Sequence, residues 1–175
     1  MKSTILTSTE LKSLYRVAVE KHPQCIMPLA LQAHAGLRDN EVSRLELNDI
    51  DFDERRIYIR ASQSKTGRLG VIEDIPDAVW SWLEYCRVNG LFAVPANWQR
   101  HHRRLFKAAG LEPEGRGILR HSFACHLYGL TYEPEKIAGL MGWAISIFHW
   151  AKGNLGVSTR QNAESYFSVM PPRQE

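Results

Sequence analysis

The sequence lacks the features that would place the protein in a membrane or among disulfide-stabilised secreted proteins. No apolar run in its 175 residues is long enough for a membrane-spanning helix, and Met1–Thr4 begins no signal-peptide hydrophobic segment. The three cysteines, Cys25, Cys86 and Cys125, stand far apart in apolar surroundings and show no metal-ligand spacing. We therefore expect a cytoplasmic protein with reduced core thiols and no metal site.

The sequence also has little excess charge of either sign, since the formal net charge is only +3 at pH 7. Its distribution is more informative, because residues 99–120 carry six basic side chains against two acidic ones. A basic stripe of this kind suits a phosphate backbone, and a solvated helix face explains it equally well. The six basic residues are Arg100, Arg103, Arg104, Lys107, Arg116 and Arg120.

Hydrophobic periodicity predicts a mainly α protein with a small antiparallel β-sheet (α+β) around one core. A capping box from Thr7 to Glu10 begins the first helix, and Ser158–Gln161 predicts another for the last. A strand over 56–60 pairs with 68–75 through a hairpin tip at 62–67, and 47–53 is a turn-rich link. Helices are predicted at residues 8–21, 25–35, 40–45, 76–88, 97–109, from 118, 134–141, 144–151 and 159–168.

Two arginines stand in apolar surroundings, where an unpaired charge would be very costly. Arg120 lies within the apolar stretch Ile118–Leu127, and Arg38 follows a helix stop at Gly36. On separate packed elements, two planar and permanently charged guanidinium groups can grip one phosphate between them. Structural arginines that cap helix carbonyls are the alternative, and without further motifs that alternative is the better interpretation.

Four segments of the chain together resemble the conserved boxes of the tyrosine recombinases, the phage-type integrases. Ala35–Glu41 resembles the first box, Ser64–Gly67 the catalytic-lysine turn, Leu119–Leu127 the second box and Ile137–Trp143 the third. The likeness extends from about Leu6 to Pro171, with the boxes in the right order and spacing. It implies the tyrosine recombinase/integrase catalytic-domain fold.

The resemblance implies DNA integration and recombination by metal-free phosphoryl transfer through a phosphotyrosine, without a small-molecule cofactor. Arg38 and Arg120 would stabilise charge on the phosphate, Lys65 would protonate the leaving oxygen, and Trp143 would donate its indole N–H. Glu41 would orient Arg38. The implied partner is double-stranded DNA, bound by a homo-oligomer of mobile-element origin associated with the nucleoid. DNA contacts are expected from Arg100, Arg103, Arg104, Lys107 and Arg116.

Two positions depart from the family pattern. Gly117 stands where the second box has a histidine, and Trp150 falls at the usual place of the nucleophilic tyrosine. A rival alignment keeps Tyr166 as the nucleophile. Two hypotheses follow: an active strand-transferring enzyme that uses Tyr166, and a catalytically inactive DNA-binding or regulatory module. A protein-interaction scaffold without a DNA role is a third.

Recombinases of this family usually carry an N-terminal helical DNA-clamp domain ahead of the region that matches Leu6. We therefore expect residues 1–175 to form a single integrase-like catalytic domain, with the N-terminal core-binding domain absent. Weak DNA affinity follows, unless a partner supplies the other half of the clamp.

Overall fold

The computed structural model describes residues 5–60, 70–112, 117–131, 133–142 and 158–174. The predicted hairpin tip at 62–67 and the predicted helix at 144–151 lie outside these ranges. No helix within them is both long and apolar enough to cross a membrane. The described helices are α1 (Ser8–Lys21), α2 (Ile26–Ala33), α3 (Asp39–Ser43), α4 (Ala78–Val88), α5 (Trp98–Ala108), α6 (Ile118–Thr131), α7 (Pro134–Met141) and α8 (Arg160–Tyr166).

Local sequence signals set the ends of two helices where they were predicted. Thr7 Oγ1 accepts from the Glu10 amide at 3.2 Å, and the Glu10 carboxylate accepts from the Thr7 amide at 2.8 Å, so α1 begins with the expected capping box. Pro134 begins α7, and Gly142, with a φ of +63°, ends it in the left-handed conformation that favours glycine. Both predictions are confirmed.

The sheet is antiparallel in the order β1 (Ile50–Asp51), β2 (Arg56–Ile59), β3 (Gly70–Ile72). Ile57 pairs with Ile50 on one side and Ile72 on the other, and all three side chains are buried. The predicted strand at 56–60 is confirmed. The turn-rich link predicted over 47–53 consists of a 3₁₀ turn at Leu47–Asp49, the two-residue strand β1 and a turn that begins at Phe52, so the prediction missed only the strand.

Helix α2 lies at the centre of the core, with all eight of its residues buried. A 3₁₀ turn over Pro23–Cys25 precedes it, so the continuous helix predicted from Cys25 is shorter than expected. The helix stop at Gly36 has φ +72°, and a Cβ added there would lie 2.5 Å from the Phe123 ring. Glycine therefore permits both the backbone turn and the close approach of α6.

The last helix packs against α6, and its cap differs from the prediction by one residue. Thr159 Oγ1 accepts from the Asn162 amide at 3.1 Å, whereas Ser158 Oγ lies 2.8 Å from His126 Nδ1. The predicted capping box at Ser158 is therefore wrong. A Cβ added to Gly129 would lie 2.9 Å from the Ser158 carbonyl oxygen, so the small residue allows the close contact.

A buried histidine joins the centre of the core to α8. His34 Nε2 lies 3.2 Å from the Tyr166 carbonyl oxygen, which can only accept, so Nε2 carries the proton. His34 Nδ1 then accepts from the Tyr15 hydroxyl at 2.9 Å. Burial lowers the pKa of His34 to about 4, and it also lowers the pKa of His126. The fold therefore requires the neutral imidazole.

We predict that the domain loses stability in acid below the ordinary histidine pKa. Because the pKa of folded His34 is depressed from 6.5 to about 4, its contribution is present above 6.5 and is lost as the pH falls toward 4. This amounts to about 3 kcal/mol. Denaturant unfolding at several pH values measures it. His34→Gln should flatten the pH dependence, whereas His101→Gln, at a partly exposed position, should not. Equal slopes in both variants would contradict the prediction.

Candidate functional site

The two arginines singled out from the sequence meet at one backbone oxygen. Arg38 stands at the N-terminal end of α3, and Arg120 lies in the first turn of α6. Arg38 Nη2 donates to the carbonyl oxygen of Met141 at 3.3 Å, and Arg120 Nη2 donates to the same oxygen. Arg120 Nε also donates to the Gly36 carbonyl at 2.8 Å. Three separate helices and the loop before α3 thus place two guanidinium groups side by side.

The shared acceptor has a physical reason to attract cations. Met141 is the last residue of α7, where unsatisfied carbonyls give a helix partial negative charge. The Arg38 side chain is 23% exposed, whereas its Nη1 is buried 3.9 Å from Glu41 Oε1 and has no hydrogen-bond partner among the described residues. Two convergent, partly exposed guanidinium groups form a site suited to an oxyanion.

Glu41 contacts both the backbone and the guanidinium group of Arg38. Its carboxylate is fully buried, with Oε2 accepting from the Arg38 backbone amide at 2.9 Å and Oε1 lying 3.9 Å from Arg38 Nη1. The buried negative charge faces the guanidinium group and fixes the backbone that carries it.

A basic surface lies on the neighbouring helix α5. Its apolar side buries Trp98, Leu105 and Phe106. The opposite side exposes four cations, none of which forms an ion pair with a carboxylate in the described parts of the chain. These four residues, called the α5 basic face below, are Arg100, Arg103, Arg104 and Lys107.

Tyr166 lies in the core rather than on the surface. Its hydroxyl donates to the Ala33 carbonyl at 2.8 Å, and its ring stacks on His126 with centroids 4.0 Å apart. Burial raises the pKa of the Tyr166 phenol well above its ordinary value. A nucleophilic oxygen must reach the phosphorus atom, so Tyr166 would have to leave this position to attack a DNA phosphate.

Four residues from the sequence argument, Lys65, Arg116, Trp143 and Trp150, lie outside the described residues. Gly117 is described: it has φ +83°, and its carbonyl accepts from the His121 amide at 2.8 Å at the start of α6. Glycine has no side chain that could donate a hydrogen bond or a proton, as the histidine at this position does in the tyrosine recombinases that the sequence resembles.

A cysteine–histidine pair on α6 is a poor alternative nucleophile. Cys125 Sγ lies 3.6 Å from His121 Nε2, one helical turn away. Burial raises the pKa of Cys125 to about 12, and it lowers the pKa of His121. The burial of Cys125 therefore favours the neutral thiol, which is the unreactive form. All three cysteines are buried, as predicted for core positions.

Sequence reasoning missed two parts of the site. Both arginines donate to the main-chain carbonyl oxygen of Met141, and no pattern of side chains in the sequence predicts such a contact. Asp39 accepts from Gln32 and Gln99, but an acidic residue in the first turn of a helix is too common to single out.

Comparison with known proteins agrees with the fold and the arrangement of the boxes. The profile of the Phage integrase family matches residues 4–147. The tyrosine recombinase XerC of Shewanella oneidensis is 25% identical over 121 residues, which is 62% of this chain and 40% of that protein. The chain therefore spans about two fifths of the length of this curated relative.

Two solved structures share the fold. A crystal structure of the XerA recombinase superposes with a TM-score of 0.69 and 19% identity, covering 97% of this chain and 66% of the other. The XerH site-specific recombinase bound to its difH substrate gives a TM-score of 0.64 and 19% identity, covering 95% and 54%. The fold is that of tyrosine recombinase catalytic domains, and the chain belongs to the phage integrase family.

We predict that Tyr166→Phe destabilises the domain by about 1–2 kcal/mol, because the buried Ala33 carbonyl loses its hydrogen-bond donor. The free energy of unfolding, measured with denaturant, reports this loss. Tyr85→Phe, at a half-buried position on α4, is the matched control and should change stability by less than about 0.5 kcal/mol. A Tyr166→Phe protein as stable as the wild type would show that the hydroxyl is not held in the core.

Proposed function

We propose that this chain is a DNA-binding catalytic domain of the integrase type, in which Arg38 and Arg120 together bind one phosphate of double-stranded DNA. The observation that carries the proposal is the convergence of both guanidinium groups on the Met141 carbonyl, beside the α5 basic face. The XerH recombinase, which shares the fold, was solved with a DNA substrate bound, and this supports the same class of partner here.

In the proposed complex, non-bridging phosphate oxygens take hydrogen bonds from Arg38 and Arg120. Glu41 keeps Arg38 in place as the negative phosphate arrives. Stabilising the charge that develops on these oxygens is the largest contribution available to a protein that transfers phosphoryl groups without a metal. By resemblance to the family, Lys65 protonates the leaving oxygen and Trp143 adds an indole N–H donor.

The proposed reaction is DNA strand cleavage and rejoining. The tyrosine hydroxyl releases its proton to solvent as its oxygen bonds to phosphorus. The bond from phosphorus to one deoxyribose oxygen breaks, and that oxygen takes a proton from Lys65 and leaves as a hydroxyl. Attack by the hydroxyl of another strand reverses the step and releases the tyrosine. Exchange between two cut sites requires more than one copy, so we propose a homo-oligomer on DNA, acting in the cytoplasm.

The position of Tyr166 favours a second candidate function. Its hydroxyl is bound inside the core, and the sequence has Trp150 at the usual nucleophile position and Gly117 at the second-box histidine. On this alternative the arginine pair grips a phosphate without cleaving the strand. The chain is then a DNA-binding or regulatory module derived from a recombinase.

We predict duplex DNA binding that weakens steeply with salt, because each phosphate contact releases counterions. Arg103→Ala/Arg104→Ala should make the slope of log affinity against log salt shallower by about 0.9 for each contact removed. Fluorescence anisotropy with labelled duplexes measures both quantities. The matched control, Lys12→Ala/Arg16→Ala, removes two exposed cations from α1 and should leave the slope unchanged. A flat salt response of the wild type would refute the proposed function.

Covalent capture distinguishes the two candidate functions. Incubated with a pool of nicked duplexes of randomised sequence, an active enzyme should form a protein–DNA adduct that survives a denaturing gel. Peptide mapping then identifies the attached tyrosine, and Tyr166→Phe should abolish the adduct if Tyr166 is the nucleophile. DNA binding by the wild type without any adduct would favour the inactive module.

A further inference from the structure

A polar network ties the α5 basic face to the helix that carries Arg38. Gln32, which is buried in α2, donates to Asp39 Oδ1 at 2.6 Å, and its side-chain oxygen accepts from Trp98 Nε1 at 2.9 Å. Asp39 Oδ2 accepts from Gln99 Nε2 at 3.0 Å. Both carboxylate oxygens of Asp39 are thus used, one toward the core and one toward α5.

The network joins three helices at the place where the proposed site meets the basic surface. Asp39 directly follows Arg38, and Trp98 and Gln99 form the first turn of α5. Arg100 and Arg103 line a surface groove of about 630 Å³ between α3 and α5, together with Asp39. The arginine pair, Arg38 and Arg120, and the α5 basic face are therefore linked through the carboxylate of Asp39.

The hydrogen bonds of Asp39 can orient α5 more narrowly than apolar packing alone. Burial of Trp98, Leu105 and Phe106 holds α5 on the core, but the hydrophobic effect is non-directional. Hydrogen bonds to a charged carboxylate have a defined geometry and are stronger than neutral ones. They can fix the rotation and register of α5 relative to Arg38.

The negative charge of Asp39 is unfavourable at a surface that is proposed to bind DNA. A carboxylate in a groove lined by Arg100 and Arg103 repels a phosphate backbone. Removal of the charge should therefore strengthen DNA binding, unless the carboxylate serves another purpose at the same place.

We propose that Asp39 is a positioning residue, which holds the α5 basic face in register with the arginine pair so that both engage one duplex. The inference rests on the proposed DNA-binding function and deepens it. Asp39 touches no DNA in this account. It acts through Gln32 and Gln99 on the orientation of α5.

The test is Asp39→Asn, which keeps the shape of the side chain and removes its charge. Two donors point at the two oxygens of Asp39, and an amide offers only one acceptor, so one bond is lost. We expect about tenfold weaker duplex binding and a shallower salt slope. Asp53→Asn, the same change at an exposed turn position, should bind DNA as tightly as the wild type or more tightly.

Equal or tighter binding by Asp39→Asn, with an unchanged salt slope, would overturn the inference, because this is the result of removing a bystander charge. A second variant covers the case in which Asp39→Asn does not fold. Gln99→Ala changes no charge and lies on the surface, so it should flatten the salt slope only if Gln99 acts by holding α5 in place. An unchanged slope in Gln99→Ala would also overturn the inference.

The double variant Asp39→Ala/Gln99→Ala, compared with Asp39→Ala, which removes both acceptors, separates positioning from direct contact. If Gln99 acts through Asp39, the second substitution adds nothing to the first, whereas a direct DNA contact by Gln99 gives additive losses. Failure of this inference is distinct from failure of the proposed function. A wild-type protein with a flat salt response removes both, while a steep wild-type response with an unaffected Asp39→Asn variant removes only the role of Asp39.

Discussion

The site depends on one backbone carbonyl that accepts from two arginines. The Met141 oxygen, at the negative end of α7, draws Arg38 and Arg120 together from distant parts of the chain. Two adjacent guanidinium groups repel each other, and a shared acceptor reduces the cost of holding them together. On the proposed function, a phosphate, which carries more negative charge than a carbonyl, would meet a pair that is already assembled.

The same core that assembles the arginines restrains the candidate nucleophile. Gly36 brings α2 against α6, and Gly129 lets the segment before α8 approach the other part of that helix. Tyr166 contacts both helices, because its hydroxyl donates to the Ala33 carbonyl of α2 and its ring stacks on His126 of α6. Any catalytic role for Tyr166 must repay the loss of this hydrogen bond and of the stacking on His126, which is why binding and cleavage are separate questions for this chain.

Sequence signals that depend only on neighbouring residues predicted two helix ends, whereas features that depend on contacts with distant parts of the chain were missed. The cap at Thr7 and the end of α7 at Gly142 could be predicted because each depends on neighbouring residues. Strand β1 has two residues and exists only through pairing with β2. The cap of α8 moved to Thr159 because His126, 32 residues before Ser158, takes the serine hydroxyl. Motif order identified the arginines, but their shared acceptor is a main-chain atom that has no sequence signature.

The most direct test of the account is a double-mutant cycle on the arginine pair. Duplex binding is measured for the wild type, Arg38→Ala, Arg120→Ala and the double variant, with the stability of each protein determined alongside. Two guanidinium groups that grip one phosphate should show a coupling free energy of about 1 kcal/mol or more. Additive losses, within about 0.5 kcal/mol, would mean that the arginines do not share a phosphate and would contradict the central claim.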